Sequence, residues 1–204
     1  MKKVSEAELK RVQQYAVDVT LDPDTAHPKL ILSDDGKQVK HGDERKKHGG
    51  VLKIFPDKPK RYSTGVCVLA KQSFSAGRLY FEVQVKGKTD WVLGVARESI
   101  NRKGQNILKP QDGYWTIWLR NENEYKALSD PPVRLSVRSQ PEKVGVFVDY
   151  EEGLISFYDV DAADLYSFTG CSFTQKIYPF FSPHLHYCGK ISTPLVICPV
   201  NHTE

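Results

Sequence analysis

The sequence is short of most features that announce a function. Its uninterrupted apolar stretches run to a few residues, far below the roughly 20 that a membrane-spanning helix needs. No apolar segment follows Met1-Lys2-Lys3, so neither a membrane span nor a secretory signal is expected. The four cysteines, Cys67, Cys171, Cys188 and Cys198, never form a C-x-x-C pair, which removes the zinc-ribbon and thioredoxin spacings. Without a signal, buried thiols are expected in place of disulfides. Charge of one sign is scarce: 29 Lys+Arg stand against 25 Asp+Glu, a formal net charge of +4. So small an excess does not argue for nucleic acid, where clustering matters more than the total. There is no G-x-S-x-G elbow, no G-x-x-x-x-G-K-[ST] loop, no G-x-G-x-x-G and no H-E-x-x-H. No catalytic residue, metal or cofactor is therefore assigned, and an enzyme is not expected. No internal repeat of 20–50 residues exists, which disfavours a propeller.

What is present is an ordinary globular balance over 204 residues, with 40% hydrophobic and 26% charged, enough for one large domain or two small ones. Ser5 and Glu8 form a capping box, Val4 and Leu9 a hydrophobic staple, and Leu9, Val12 and Ala16 one apolar stripe, so a short helix is expected at the start. A helix this short needs support from the body or from an upstream helix. From Val17 the period falls to two. Strand-like segments follow at Val17–Leu21, Leu30–Ser33, around Val39, and at Gly65–Ala70, Tyr80–Val85, Trp91–Ala96, Tyr114–Leu119, Tyr178–Phe181 and Pro194–Val200. In Tyr80–Val85 the alternation sends Phe81, Val83 and Val85 inward and Glu82 and Gln84 outward. Val144, Val146 and Val148, the turn Asp149–Gly153 and the return Leu154–Tyr158 make the clearest hairpin. No helical pattern separates the strands, so the expected fold is an all-β antiparallel sandwich with a short N-terminal helix.

Candidate functional residues are few. Two basic clusters, Arg45-Lys46-Lys47-His48 and Lys58-Pro59-Lys60-Arg61, lie in the polar, Gly/Pro-rich stretch 41–63, which reads as a long loop of solvated tips. His184, His186 and Cys188 alternate and could share one strand face, but no fourth ligand accompanies them and no metal site is assigned. Asp149, Glu151 and Glu152 sit on a hairpin tip and read as turn carboxylates. The sequon Asn201-His202-Thr203 reads as chance. Most strand aromatics should be core. Trp118 and Tyr125 differ, because they flank the polar loop Arg120–Glu124. Trp115 and Trp118 are three apart and so face opposite sides of a sheet. Trp and Arg close together at a surface are typical of binding hot spots.

These segments, in order, resemble the PRY-SPRY domain of tripartite-motif ubiquitin ligases, butyrophilins and some fish innate-immune receptors. The carriers are Val19-Thr-Leu-Asp-Pro-Asp-Thr-Ala-His-Pro28 with Leu30–Ser33; Ser75-Ala-Gly-Arg-Leu-Tyr-Phe-Glu-Val83; Trp91-Val-Leu-Gly-Val-Ala-Arg-Glu-Ser-Ile-Asn-Arg-Lys-Gly104; Val144–Tyr158; Tyr178–Pro183; and Pro194–Pro199. Tyr80-Phe81 stands where the family usually has Tyr-Trp. The resemblance implies a bent two-sheet, concanavalin-like jelly roll. It implies a linker helix over 1–16 and the domain over 17–200, with PRY at about 17–66 and SPRY at about 67–200. It implies a protein-recognition module, in a cytoplasmic, innate-immune ligase whose RING and B-box zinc modules lie elsewhere. The whole protein would be a coiled-coil dimer and this chain a monomer. Small phosphorylated ligands, as in butyrophilins, and RNA are the alternative partners. Carried over by position, the ligand face comprises Val92, Trp118, Arg120 and Leu185. A relative that grips antibody has Asp, Trp, Trp and Phe there, so a partner other than antibody is expected. Departures around His184, His186 and Cys188, and the basic loop with Lys58, Lys60 and Arg61, point the same way. The candidate partner-binding set is Trp118, Arg120, Val92, Leu185, Tyr125, His184, His186, Lys58, Lys60 and Arg61.

Overall fold

Period-two alternation becomes thirteen strands among the residues that the computed structural model describes: 6–42, 56–105, 107–161, 163–183 and 193–200. Helix α1 (Glu6–Gln13) comes first. It is followed by β1 (Leu30–Leu32), β2 (Gln38–His41), β3 (Val68–Leu69), β4 (Arg78–Gln84), β5 (Trp91–Arg97) and β6 (Tyr114–Arg120). Then come β7 (Glu124–Ala127), β8 (Val133–Leu135), β9 (Lys143–Asp149), β10 (Leu154–Asp159), β11 (Ala163–Phe168), β12 (Ile177–Ser182) and β13 (Leu195–Cys198). One sheet runs β1-β2-β13-β4-β9-β10-β11 and the other β3-β12-β5-β6-β7-β8. Every named strand pair is antiparallel, so the expected sandwich is the fold.

The main core lies between the sheets. Leu79, Phe81 and Val83 of β4 and Val144, Val146 and Val148 of β9 meet Trp91, Leu93 and Val95 of β5 and Trp115, Ile117 and Leu119 of β6. Each is nearly solvent-free, and burying one such side chain is worth about 1.5–3 kcal/mol. The β9–β10 hairpin forms as read, with Leu154 opposite Asp149. The segment Val17–Leu21 departs from expectation. It is extended and buries Val19 and Leu21, but joins no named strand: one isolated bridge links Leu21 to Ala70, and Val17 N donates to the Tyr80 carbonyl at 3.0 Å.

Helix α1 lies on the outer face of the seven-stranded sheet. Val12 is fully buried against Tyr80, Phe147 and Tyr158, with Leu9 and Ala16 packed beside it, so the apolar stripe docks on the body. Ser5, its proposed cap, lies outside the described residues. Arg11 stands over the Phe147 ring at 5.7 Å. Gln13 Nε2 donates to Glu82 Oε2 at 3.0 Å, and the Tyr80 hydroxyl donates to the same oxygen at 2.6 Å. Glu82, expected to face solvent, is thus buried. Period two sends it away from the inter-sheet core, but the helix covers that side. Burial and the bond to Glu82 push the Tyr80 phenol well above its ordinary range.

The close approach of β5 and β6 depends on Gly94. A Cβ there would run into the Trp115 carbonyl and the Thr116 backbone, which are parts of the paired strand and cannot swing aside. Gly94→Ala is expected to cost more than about 4 kcal/mol, the range of severe core defects. Urea unfolding checks this, and a loss under about 1 kcal/mol would show that the pairing tolerates a side chain.

Candidate partner-binding face

The β5–β6 register places Val92 opposite Trp118, Gly94 opposite Thr116 and Val95 opposite Trp115. Trp115 enters the inter-sheet core and Trp118 the opposite face, as their spacing requires. On that outer face a second, smaller core gathers Tyr62, Cys67, Leu69, Val92, Ala96, Tyr114 and Phe180. Tyr114 meets Phe180 edge-on at 5.3 Å, and the Tyr62 and Tyr114 hydroxyls lie 3.1 Å apart. Burial pushes the Cys67 thiol up to about 12, so it stays protonated and unreactive. Ile100, Leu108, Tyr178 and Trp118 close the rim of this cluster.

Beyond Trp118 the face turns polar. Trp118 lies opposite Lys126, and Lys126 opposite Arg134. The Arg120 guanidinium stacks on the Trp118 ring at 3.7 Å from its centroid. Both Trp118 Nε1 and Arg120 Nε are buried without a hydrogen-bond partner among the described residues. Two such unpaired donors side by side are costly to leave unmade. Lys126 pairs with Glu124 at 3.1 Å.

The turn between β6 and β7 is held from both sides. Asn121 N donates to Asp90 Oδ1 at 3.2 Å, Glu122 N to the Thr89 carbonyl at 3.0 Å, and Gln140 Nε2 to the Glu122 carbonyl at 2.7 Å. These bonds hold Asn121 and Glu122 at φ 51° and 68°, a left-handed conformation that costs a non-glycine residue about 1–2 kcal/mol. Nearby, buried Lys88 donates its ammonium to the Thr193 carbonyl at 2.5 Å, and burial lowers its pKa to about 8.

Trp118 and Arg120 are therefore brought together. Val92 shares their face but is only 3% exposed beneath the cover, so it supports Trp118 and offers little surface. Tyr125 corrects the expectation that it flanks the loop at the surface. It pairs with Leu119, so it points into the inter-sheet core, where its ring meets Trp91 edge-on at 6.3 Å. Arg61 is also turned inward: it is 6% exposed and its guanidinium donates to the carbonyls of Ala26 at 2.6 Å, Pro23 at 3.2 Å and Pro56 at 3.2 Å. Lys58 is paired with Asp24 at 2.7 Å. Lys60 is exposed, and its carbonyl accepts a bond from Arg102 at 2.9 Å. Lys58, Lys60 and Arg61 gather around Asp24 and, Lys58 first, hold its carboxyl below the ordinary value, so part of this cluster is engaged within the chain. His184, Leu185, His186, Cys188 and Arg45–His48 lie outside the described residues. Sequence reading missed Lys126 and Arg134. The alternation Glu124-Tyr125-Lys126-Ala127 could have flagged Lys126 as outward-facing.

Residues 78–195 match the SPRY domain model and residues 19–74 that of the SPRY-associated domain, PRY. Pyrin of Homo sapiens is 46% identical over 194 residues, 95% of this chain and 24% of that protein. Nuclear factor 7, brain, of Xenopus laevis is 49% identical over 175 residues, 86% of this chain and 28% of that protein. Butyrophilin subfamily 1 member A1 of Bos taurus is 43% identical over 200 residues, 98% of this chain and 36% of that protein. The chain thus spans between about a quarter and just over a third of these relatives' lengths. The crystal structure of the TRIM65 PSpry domain shares the fold, with a TM-score of 0.73 at 23% identity over 98% of this chain and 99% of that one.

Two stability predictions follow from the burial of charge. Arg61→Met is expected to cost about 2 kcal/mol or more, because it strands carbonyls that the guanidinium satisfies. Lys58→Ala, which breaks a half-exposed pair, should leave stability unchanged within error; equal losses in thermal unfolding would contradict the contrast. For Lys88 the folded pKa lies below the ordinary value near 10.4, so above about pH 8 the unfolded state holds a proton that the folded state lacks. Stability contributed by this group therefore rises with pH between about 8 and 10. The wild type should gain on Lys88→Met across that window in paired urea titrations; parallel curves would overturn the assignment.

Proposed function

Because this chain belongs to the PRY-SPRY family, we propose that it selects target proteins for a tripartite-motif-type ubiquitin ligase through the outer face of its six-stranded sheet. The family makes it a protein-interaction module and not a catalyst. The observation that carries the assignment of the face is the Arg120–Trp118 stack at 3.7 Å, in which Trp118 Nε1 and Arg120 Nε are buried without a hydrogen-bond partner among the described residues. A stacked, partly desolvated Trp–Arg pair on a rigid sheet has the composition of an energetic hot spot. A partner supplying backbone carbonyls or carboxylates at its rim would complement Arg120 and Arg134.

In this reading Val92 underpins the face and Lys60 is a peripheral contact. The ubiquitin chemistry resides in a RING module outside this chain. The parent protein dimerises through a coiled coil that leads into α1, acts in the cytoplasm and serves innate immunity, while the isolated chain is a monomer. The phosphate-sensing and RNA readings draw on Arg45, Lys46, Lys58, Lys60, Arg61 and Arg120, of which Arg45 and Lys46 lie outside the described residues. Lys58 and Arg61 are already engaged within the chain, so no observation favours those readings.

The test is a target search with the immobilised chain, followed by titration of each captured protein against wild type, Trp118→Ala and Arg120→Ala. Trp118→Ala should weaken the genuine target by about 30-fold or more, which is about 2 kcal/mol, with the fold intact by circular dichroism. In cells, the same substitution in the full-length protein should abolish ubiquitin transfer to that target. Undiminished affinity in both variants would remove the face from consideration, and a target bound but never ubiquitinated would remove the ligase.

A further inference from the structure

A second site, independent of the face above, lies at the far end of the same two strands. Trp91 starts β5 beside Leu119, whereas Arg97 ends it beside Gly113, roughly 20 Å away along the strand. There a cleft of about 380 Å³ opens under the connection between β11 and β12. Its walls are Trp115, Phe168 and Phe173, and its polar groups include Arg97, Gln111 and Gln175. Trp115 and Phe173 meet edge-on at 4.9 Å, and Tyr150 braces Phe173 at 5.3 Å, so the aromatic wall is built.

The polar groups differ in what they already do. Gln175 accepts from Ser99 N at 3.0 Å and Gln111 donates to Asp130 at 3.2 Å. The Arg97 side chain has no hydrogen bond or ion pair among the described residues, and its Nε is buried. Its stem lies flat on Gly113, which sits at φ 88° and where a Cβ would strike Cγ, Cδ and Nε of Arg97. The guanidinium is thus positioned by the fold but unmatched by it. An Arg held at an aromatic cleft is suited to a carboxylate, which takes two parallel N–H bonds. The cleft volume is at the small end of those that hold organic ligands. The lining sets aromatic rings beside the hydroxyl residues Thr169, Ser172 and Thr174 and carries Arg97 as its single cation, so a singly charged acid with a flat apolar body matches it in charge and shape. Burial pushes the Cys171 thiol, also in the wall, up to about 11, so it brings no competing anion.

We propose that this cleft binds an organic carboxylate with a flat apolar body, the carboxylate on Arg97 and the body against Trp115, Phe168 and Phe173. The source of the carboxylate is either a free small acid or the C-terminal residue of a polypeptide.

The chain has 3 tryptophans, so indole N–H signals in nitrogen-15 spectra report each location separately. Titration with sodium 2-naphthoate should move the Trp115 signal saturably and leave Trp118 in place. The uncharged 2-naphthalenemethanol should bind at least tenfold more weakly. Arg97→Gln should erase that preference and Arg97→Lys retain part of it, with the amide spectrum confirming the fold; Trp118→Ala should change nothing. An acetylated tripeptide ending in Phe with a free carboxylate is compared with its amide. Tighter binding than naphthoate assigns the source to a polypeptide terminus and weaker binding to a free acid, and both outcomes support a carboxylate site. A static Trp115 signal at millimolar naphthoate, equal affinity for acid and alcohol, or the same shift with inorganic phosphate alone would each overturn the proposal. The acid–alcohol comparison uses the wild type, so it stands even if the Arg97 variants misfold.

Discussion

The pairing of β5 with β6 is the constraint from which both sites derive. Gly94 lets the two backbones approach, and the register that follows puts Val92 against Trp118 and Val95 against Trp115. A slip of one residue would send Trp118 into the inter-sheet core and Trp115 to the surface, because strand side chains alternate. The same register leaves Arg120 beyond the last covered row, stacked on Trp118, and Arg97 at the opposite end over the inter-sheet mouth. A rigid sheet positions both groups within fractions of an ångström, which a loop alone cannot do.

Four arginines show how environment assigns a role to one residue type. Arg61 satisfies backbone carbonyls and is structural. Arg78 pairs with Asp149 at 2.8 Å and lies over Tyr15, tying the region after α1 to β4 and β9. Arg120 is stacked on an aromatic ring, and its Nε has no hydrogen-bond partner among the described residues. Arg97 is positioned and has no partner among the described residues. A guanidinium whose donors are already used inside the fold has little left to offer a ligand, so burial alone is a poor guide to function.

Much of the fold was legible from residues. The alternation of Val144, Val146 and Val148, the Asp149–Gly153 turn and the continuous apolar run of Trp91–Ala96 each correspond to a strand or hairpin in place. The stripe Leu9, Val12 and Ala16 marked the docking side of α1. The short strands β7, β8 and β11 were missed because three to six residues carry little periodic signal of their own, and their pairing partners decide them. Tyr125 was misplaced for a related reason. Its neighbours in sequence are polar, but its position opposite Leu119 turns it to the core. Arg61 was misread because nothing local announces that Pro23 and Ala26, far back in the chain, will present carbonyls to it.

The sequence by itself determined the all-β class, the faces of the longer strands and the opposition of Trp115 to Trp118, since these follow from a period of two and need no knowledge of neighbours. Only the tertiary structure decided which cations are engaged and which are available, and where a cleft opens. Those properties depend on groups distant in sequence: Arg61 on Ala26, Glu82 on Gln13, Arg97 on Gly113. A charge's worth is set by what surrounds it in space, and local pattern carries no record of that.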